Sequence, residues 1–173
     1  MKKICKKYGL GALAVALLVW LDQWTKQLAV KHLADGPHVI WDGVFEFRYS
    51  INKGAAFGIL QNQRIFFIIM TVTVLAAIAY CYYKIPATKK NMPLLALCVA
   101  ITAGALGNFI DRLYLEYVID FLYFKLINFP IFNVADCYIT VSCVVFMILM
   151  FFYYKEEDLD FFGKTEKQES TEA

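Results

Sequence analysis

Three long stretches of the chain carry no charged residue, Ile65 to Tyr83, Met92 to Ile110 and Cys137 to Tyr154, and each is fenced by charged residues. A helix rises about 1.5 Å per residue, so roughly 20 residues cross a hydrocarbon core of about 30 Å. The pattern therefore predicts spanning helices over about 65–83, 92–111 and 136–154. A fourth apolar run, Tyr8 to Leu21, is interrupted by Asp22 and Lys26 and resumes through Leu28 to Val30. Behind Lys2, Lys3, Lys6 and Lys7 this run also has the form of a secretory signal. No small-x-small cleavage site follows Leu21, and the resumed apolar character suits a retained helix over about 8–30. The expectation is an all-α membrane protein with four transmembrane helices in a domain of residues 1–155, followed by a polar, disordered cytoplasmic tail over 156–173.

The basic residues set the expected orientation. Lys2, Lys3, Lys6 and Lys7 crowd the N-terminus, Lys84, Lys89 and Lys90 the short second connection, and Lys155, Lys164 and Lys167 the tail. Both termini should then be cytoplasmic, with the connections from about His32 to Gln63 and Arg112 to Asn133 outside. The first of these mixes Val39, Trp41, Val44, Phe45, Phe47 and Tyr49 with the turn signals Gly36-Pro37 and Asp42-Gly43. A small β-rich extracytoplasmic segment between helices 1 and 2 is expected there, near the headgroups.

Composition agrees with a membrane as solvent: 60% of the 173 residues are hydrophobic and 18% charged, against about half apolar for a soluble domain. A net charge of +2, with scattered basic residues, offers no footprint for nucleic acid. The odd count of five cysteines, with Cys81, Cys98 and Cys143 inside apolar runs, argues against a disulfide framework, and no CxxC pair points to zinc.

The chemistry must lie with the charges in or beside the spans, since an aspartate at a helix centre costs about 2.5 to 3.5 kcal/mol. Asp22, Asp111, Asp120 and Asp136 all fall toward the outer surface in this orientation. Asp22 and Lys26 are spaced i, i+4 and can neutralise each other, a structural role. Asp111 ends a helix where the dipole disfavours it and needs a partner, either Arg112 or another helix. Asn133 and Asp136 have the form of a helix cap, which taken alone outweighs catalysis. Asp120 is harder to explain structurally, being one acid within Tyr117-Val118-Ile119-Asp120-Phe121. Two carboxylates held together in a low-dielectric place share a proton and can activate water, as in aspartic proteases. Zinc and serine machinery is poorly supplied: both histidines, His32 and His38, lie in the first outer connection, HExxH is absent, and Ser142 has no histidine in any span.

Four blocks then appear in order: Asp22-Gln23-Trp24-Thr25-Lys26; Asn52-Lys53-Gly54-Ala55-Ala56-Phe57; Gly104-Ala105-Leu106-Gly107-Asn108-Phe109-Ile110-Asp111-Arg112 running on to Val118-Ile119-Asp120-Phe121; and Phe132-Asn133-Val134-Ala135-Asp136. Together they resemble bacterial lipoprotein signal peptidase, or signal peptidase II. The resemblance implies an aspartyl endopeptidase of the bacterial inner membrane that cuts prolipoproteins just before a diacylglyceryl-modified cysteine at the outer leaflet. It implies a catalytic pair at Asp120 and Asp136, with Asp111 the rival for the first position, ranked second because Arg112 would commit it to an ion pair. Asn52, Asn108, Arg112 and Asn133 are implied as hydrogen-bond donors around the pair. Gly54, Ala55 and Ala56 are implied as small residues that admit the lipidated peptide, and Ala135 as a supporting residue of the last block. Close helix packing explains Gly104, Ala105 and Gly107 better than substrate contact does. Ile51, Glu116 and Cys137 depart from the family pattern, which often has Arg, Gly and Ser there. The implied partners are the lipidated substrate and membrane lipids, with the chain acting as a monomer and needing no metal or cofactor. The competing readings are a proton or cation transporter, whose relay of carboxylates should cross the bilayer, and a magnesium-dependent lipid-phosphate enzyme.

Overall fold

The structure, a computed structural model, describes residues 2–54 and 60–162, with the side chains of 6–54 and 60–161. Four long helices form it: α1 (Lys2–Leu33), α2 (Arg64–Lys84), α3 (Met92–Tyr114) and α4 (Val134–Phe152). Among the described residues, α2, α3 and α4 are long and apolar enough to cross a membrane; α1, which carries Asp22 and Lys26, is not among them. The predicted ends of α2, α3 and α4 fall within about three residues of the helix ends, because charge and capping mark them, whereas α1 begins at Lys2, well before the predicted 8–30. Arg64 and Lys84 bound α2, Pro93 sits in the first turn of α3, and Asn133 caps α4.

The helices are inverted relative to a soluble bundle. Ile65, Ile69, Phe151 and Phe152 are all more than 60% exposed, an outward apolar surface that only a hydrocarbon solvent matches. The charged side chains Asp22, Lys26 and Asp111 are turned inward instead. α3 is the hub, packing on the other three helices through a small-residue face. A Cβ on Gly104 would meet Ala135 O at 2.5 Å and Ile139 Cγ1 at 2.8 Å, and one on Gly107 would collide with the Asp22 carboxylate. The packing explanation for these glycines is therefore met by contact with α4 and α1.

A three-stranded antiparallel sheet in the order β1-β2-β3 caps one end of the bundle. β1 (His38–Trp41) and β2 (Phe45–Asn52) form the hairpin expected in the first connection, with Gly43 at φ +70° in its turn. The expectation confined β-structure to that connection and needs correcting. β3 (Val118–Phe124) comes from the connection between α3 and α4 and pairs with β2, matching Ser50 to Asp120 and Asn52 to Val118. Short apolar runs do not separate strand from buried loop, so β3 was hidden in the sequence. The tail also differs from its expectation: Glu156–Phe162 form a 3-10 helix, and Leu159 and Phe161 pack against a cluster of Ile85, Leu94, Leu95 and Tyr154. The rest of the tail lies outside the described residues.

Candidate active site

Each of the two aspartates is set by the element that carries it. Asp136 is the third residue of α4 and closes a capping box: its backbone N–H donates to Asn133 Oδ1 at 3.1 Å, and its Oδ2 accepts the Asn133 N–H at 3.1 Å. The capping expectation for Asn133 and Asp136 is correct, and it leaves Asp136 Oδ1 free to accept from Asn108 Nδ2 at 2.7 Å. Asp120 sits mid-strand in β3. Phe121 and Leu122 donate to Phe132 O, and this bridge draws the start of α4 alongside the strand. Asn133 Nδ2 can thus donate to Asp120 Oδ1 at 2.7 Å, while Asn52, diagonal to Asp120 on β2, donates to its Oδ2 at 2.9 Å. Asn52 is braced in turn by the Gly54 N–H at 2.9 Å. Asn133 Nδ2 also donates to Asn108 Oδ1 at 3.1 Å, so two amides link the two carboxylates.

Behind this layer lies a buried ionic cluster. Lys26 pairs with Asp22 and Asp111, each at 2.9 Å, and donates to Asn108 Oδ1 at 3.0 Å. Asp22 is more than a neutraliser of its i+4 neighbour, because its Oδ1 accepts the Ala135 N–H at 2.9 Å in the first turn of α4, where an anion suits the helix dipole. Asp111 accepts from Gln23 at 2.9 Å and from the Ile119 N–H at 3.2 Å, which ties β3 to α3. Of the two partners expected for Asp111, Arg112 or another helix, the second holds: the partner is Lys26 of α1, and the ion pair with Arg112 used to rank Asp111 second is not formed. Arg112 instead donates to Asn108 O at 3.3 Å and Gly54 O at 3.4 Å, with its guanidinium 4.7 Å from the centre of the Phe67 ring. Gln23 and Phe67 were not singled out as site residues. A polar amide in the middle of an apolar helix was the available signal for Gln23.

A cavity of about 680 Å³ opens onto the pair. Asn52, Gly54, Asn108, Arg112, Asp120 and Asp136 line its polar end, and its walls are apolar, among them Met70, Val74, Ile101 and Ile139. Asp111, Asn133 and Ala135 do not line it; Ala135 is fully buried and Asn133 acts from beneath. Ala55 and Ala56 lie outside the described residues. Burial, and after it the negative charge of Asp136, push the Asp120 carboxyl up to about 7, against the opposing pull of Asn52, Asn133 and Lys26. Asp120 is 2% exposed, yet it lines the cavity.

Apolar outward helices and a polar centre of two carboxylates beneath a cavity define a multi-pass membrane protein with an enzyme-like site. Residues 14–152 match the family model described as signal peptidase (SPase) II. The chain is 43% identical over 158 residues to the lipoprotein signal peptidase of Streptococcus pyogenes serotype M1, covering 88% of this chain and 97% of the relative. It is 40% identical over 146 residues to that of Streptococcus thermophilus (strain CNRZ 1066), covering 84% and 92%. A solved structure described as a bacterial membrane enzyme at 2.3 Å resolution superposes with a TM-score of 0.72 at 30% identity, covering 92% of this chain and 94% of the other. The chain belongs to the signal peptidase II family.

Proposed function

We propose that this chain is an intramembrane aspartyl endopeptidase that removes the signal peptide from diacylglyceryl-modified prolipoproteins, cutting just before the lipidated cysteine. Membership of a family of signal-peptide-cleaving proteases supplies the substrate class. One observation carries the aspartyl reading: Asp120 and Asp136, brought from a strand and a helix, line the same cavity and are linked through the amides of Asn108 and Asn133.

In this mechanism the pair holds one proton. Asp136, at a helix N-terminus and accepting a backbone N–H, is the ionised member that takes a proton from water. Asp120 is the protonated member and polarises the carbonyl preceding the cysteine as the hydroxide adds. Collapse of the tetrahedral intermediate breaks the C–N bond, and the proton taken from water passes to the leaving amine. Arg112 and Asn52 are positioned to donate to the peptide backbone. The apolar walls suit the hydrophobic stem of a signal peptide and the lipid chains.

The depth of the cut follows if α1 also spans the bilayer with both termini inside. Leu10, Leu13, Leu17, Trp20, Trp24 and Leu28 form an exposed apolar stripe at helical spacing, while Asp22 and Lys26 are buried in the bundle. The sheet and the pair then sit at the outer leaflet, where a diacylglyceryl anchor holds the scissile bond. The four carboxylates gather in one cluster at one end of the bundle, which favours hydrolysis over a relay across the membrane. The test is cleavage of a diacylglyceryl-modified precursor by Asp120→Asn and Asp136→Asn. Each should lower turnover at least about 10³-fold, and the double variant no further, as for groups acting as a unit. Turnover retained by either single variant removes the dyad.

A further inference from the structure

The Lys26 ammonium has three N–H donors and no acceptor, and it meets three partners: Asp22 Oδ2, Asp111 Oδ2 and Asn108 Oδ1. Its side chain is 1% exposed and lines no part of the cavity. The two carboxylates are enough to neutralise it, so the contact with Asn108 needs its own explanation. An ammonium can be faced only by an acceptor, and Lys26 therefore dictates that Asn108 turns Oδ1 toward it. The amide is planar, so Nδ2 must then point the other way, and there it meets Asp136 Oδ1 at 2.7 Å. Reversing the amide would set N–H₂ against the ammonium and the Asn133 N–H₂, and would deprive Asp136 of its donor. The same Asn108 oxygen takes one N–H of Asn133, whose amide sense is set by the Asp136 N–H on its Oδ1, and the other N–H reaches Asp120.

We propose that Lys26 is a positioning residue for the reaction: from outside the cavity it fixes the donor and acceptor sense of Asn108, so that this amide presents its N–H to Asp136 and its oxygen to Asn133, the donor to Asp120. The inference rests on the dyad reading above. It predicts that Lys26 governs turnover rather than substrate affinity, and that its whole effect passes through Asn108.

A double-mutant cycle on a diacylglyceryl-modified precursor tests both points. Lys26→Met alone would strand two buried carboxylates, so it is combined with Asp111→Asn; one negative charge remains in the cluster, as in the parent. Folding is checked by thermal unfolding in detergent. The Lys26→Met/Asp111→Asn variant is expected to lower kcat about 10- to 100-fold, with KM changed less than about twofold, and to add nothing to the defect of Asn108→Ala. Parent-like kcat in a folded variant, or an effect that multiplies with that of Asn108→Ala, overturns the proposal. If the variant does not fold, Asp22→Asn is added to relieve the last buried carboxylate and the cycle is repeated. Failure of both to fold makes Lys26 a structural staple and overturns it as well. Active Asp120→Asn or Asp136→Asn would remove the dyad itself, whereas a multiplicative cycle with inactive aspartate variants removes only the assignment of Lys26.

Discussion

Asp120 keeps its proton to about pH 7 because burial and the charge of Asp136 outweigh the hydrogen bonds it accepts. An unfolded aspartate releases its proton near 3.8, so between about 4 and 7 the folded state binds more protons than the unfolded one. This residue's contribution to stability therefore falls as pH rises through that window. Under the proposed mechanism activity has a linked limb: once both carboxylates ionise the shared proton is lost, and kcat/KM is expected to decline as pH rises through about 7. A pH profile with precursor in detergent checks this, and a flat response from pH 6 to 9 contradicts it. Glu116 makes a second prediction at this scale. It stands at φ +71°, in the left-handed region, just past the end of α3. Its exposed pair with Arg64 at 2.5 Å offsets little of that cost. Stability should run in the order Glu116→Gly, parent, Glu116→Val, with the extremes at least about 1 kcal/mol apart, measured as thermal midpoints.

At the scale of elements, the start of α4 serves the fold through its capping box and, under the proposed mechanism, the chemistry as well. Asn133→Ala removes the capping box, at a cost of about 0.5 to 2 kcal/mol, and also removes the donor to Asp120. Turnover should therefore fall about 10²-fold or more, well beyond what the loss of stability explains; a kcat comparison at a temperature where the variant is fully folded separates the two. Gly107→Ala pushes a methyl group into the Asp22 carboxylate and toward Ala135, and is expected to destabilise by about 1 to 3 kcal/mol. The glycine and the capping pair were legible as local patterns. β3 was not, because its identity as a strand depends on pairing with β2, which lies some 70 residues earlier.

Across the whole molecule, the proposed dyad and the C-terminal turn sit at opposite ends of α3. Leu94, which packs near Leu159 and Phe161, precedes Asn108 by 14 residues, or roughly 21 Å of helix. Lys90 pairs with Asp158 at 2.5 Å and Tyr154 donates to Lys90 O at 2.6 Å, so this segment fastens the connection between α2 and α3. Truncation after Lys155 should lower the thermal midpoint by several degrees and leave kcat within about twofold; a large loss of kcat in the folded truncation contradicts the separation.

The sequence by itself marked the long apolar helices, most of their ends and the four motif blocks, because hydropathy over some 20 residues and the capping of single turns are local properties. It also singled out the acidic residues that needed an explanation. Only the tertiary structure decided what each acid does. Asp111 and Asp120 lie nine residues apart, yet one is committed to Lys26 of α1 and the other opens onto the cavity. Asp22 reaches Ala135 across 113 residues of chain. The environment of a buried carboxylate depends on which distant donors and charges surround it, and no local pattern carries that information.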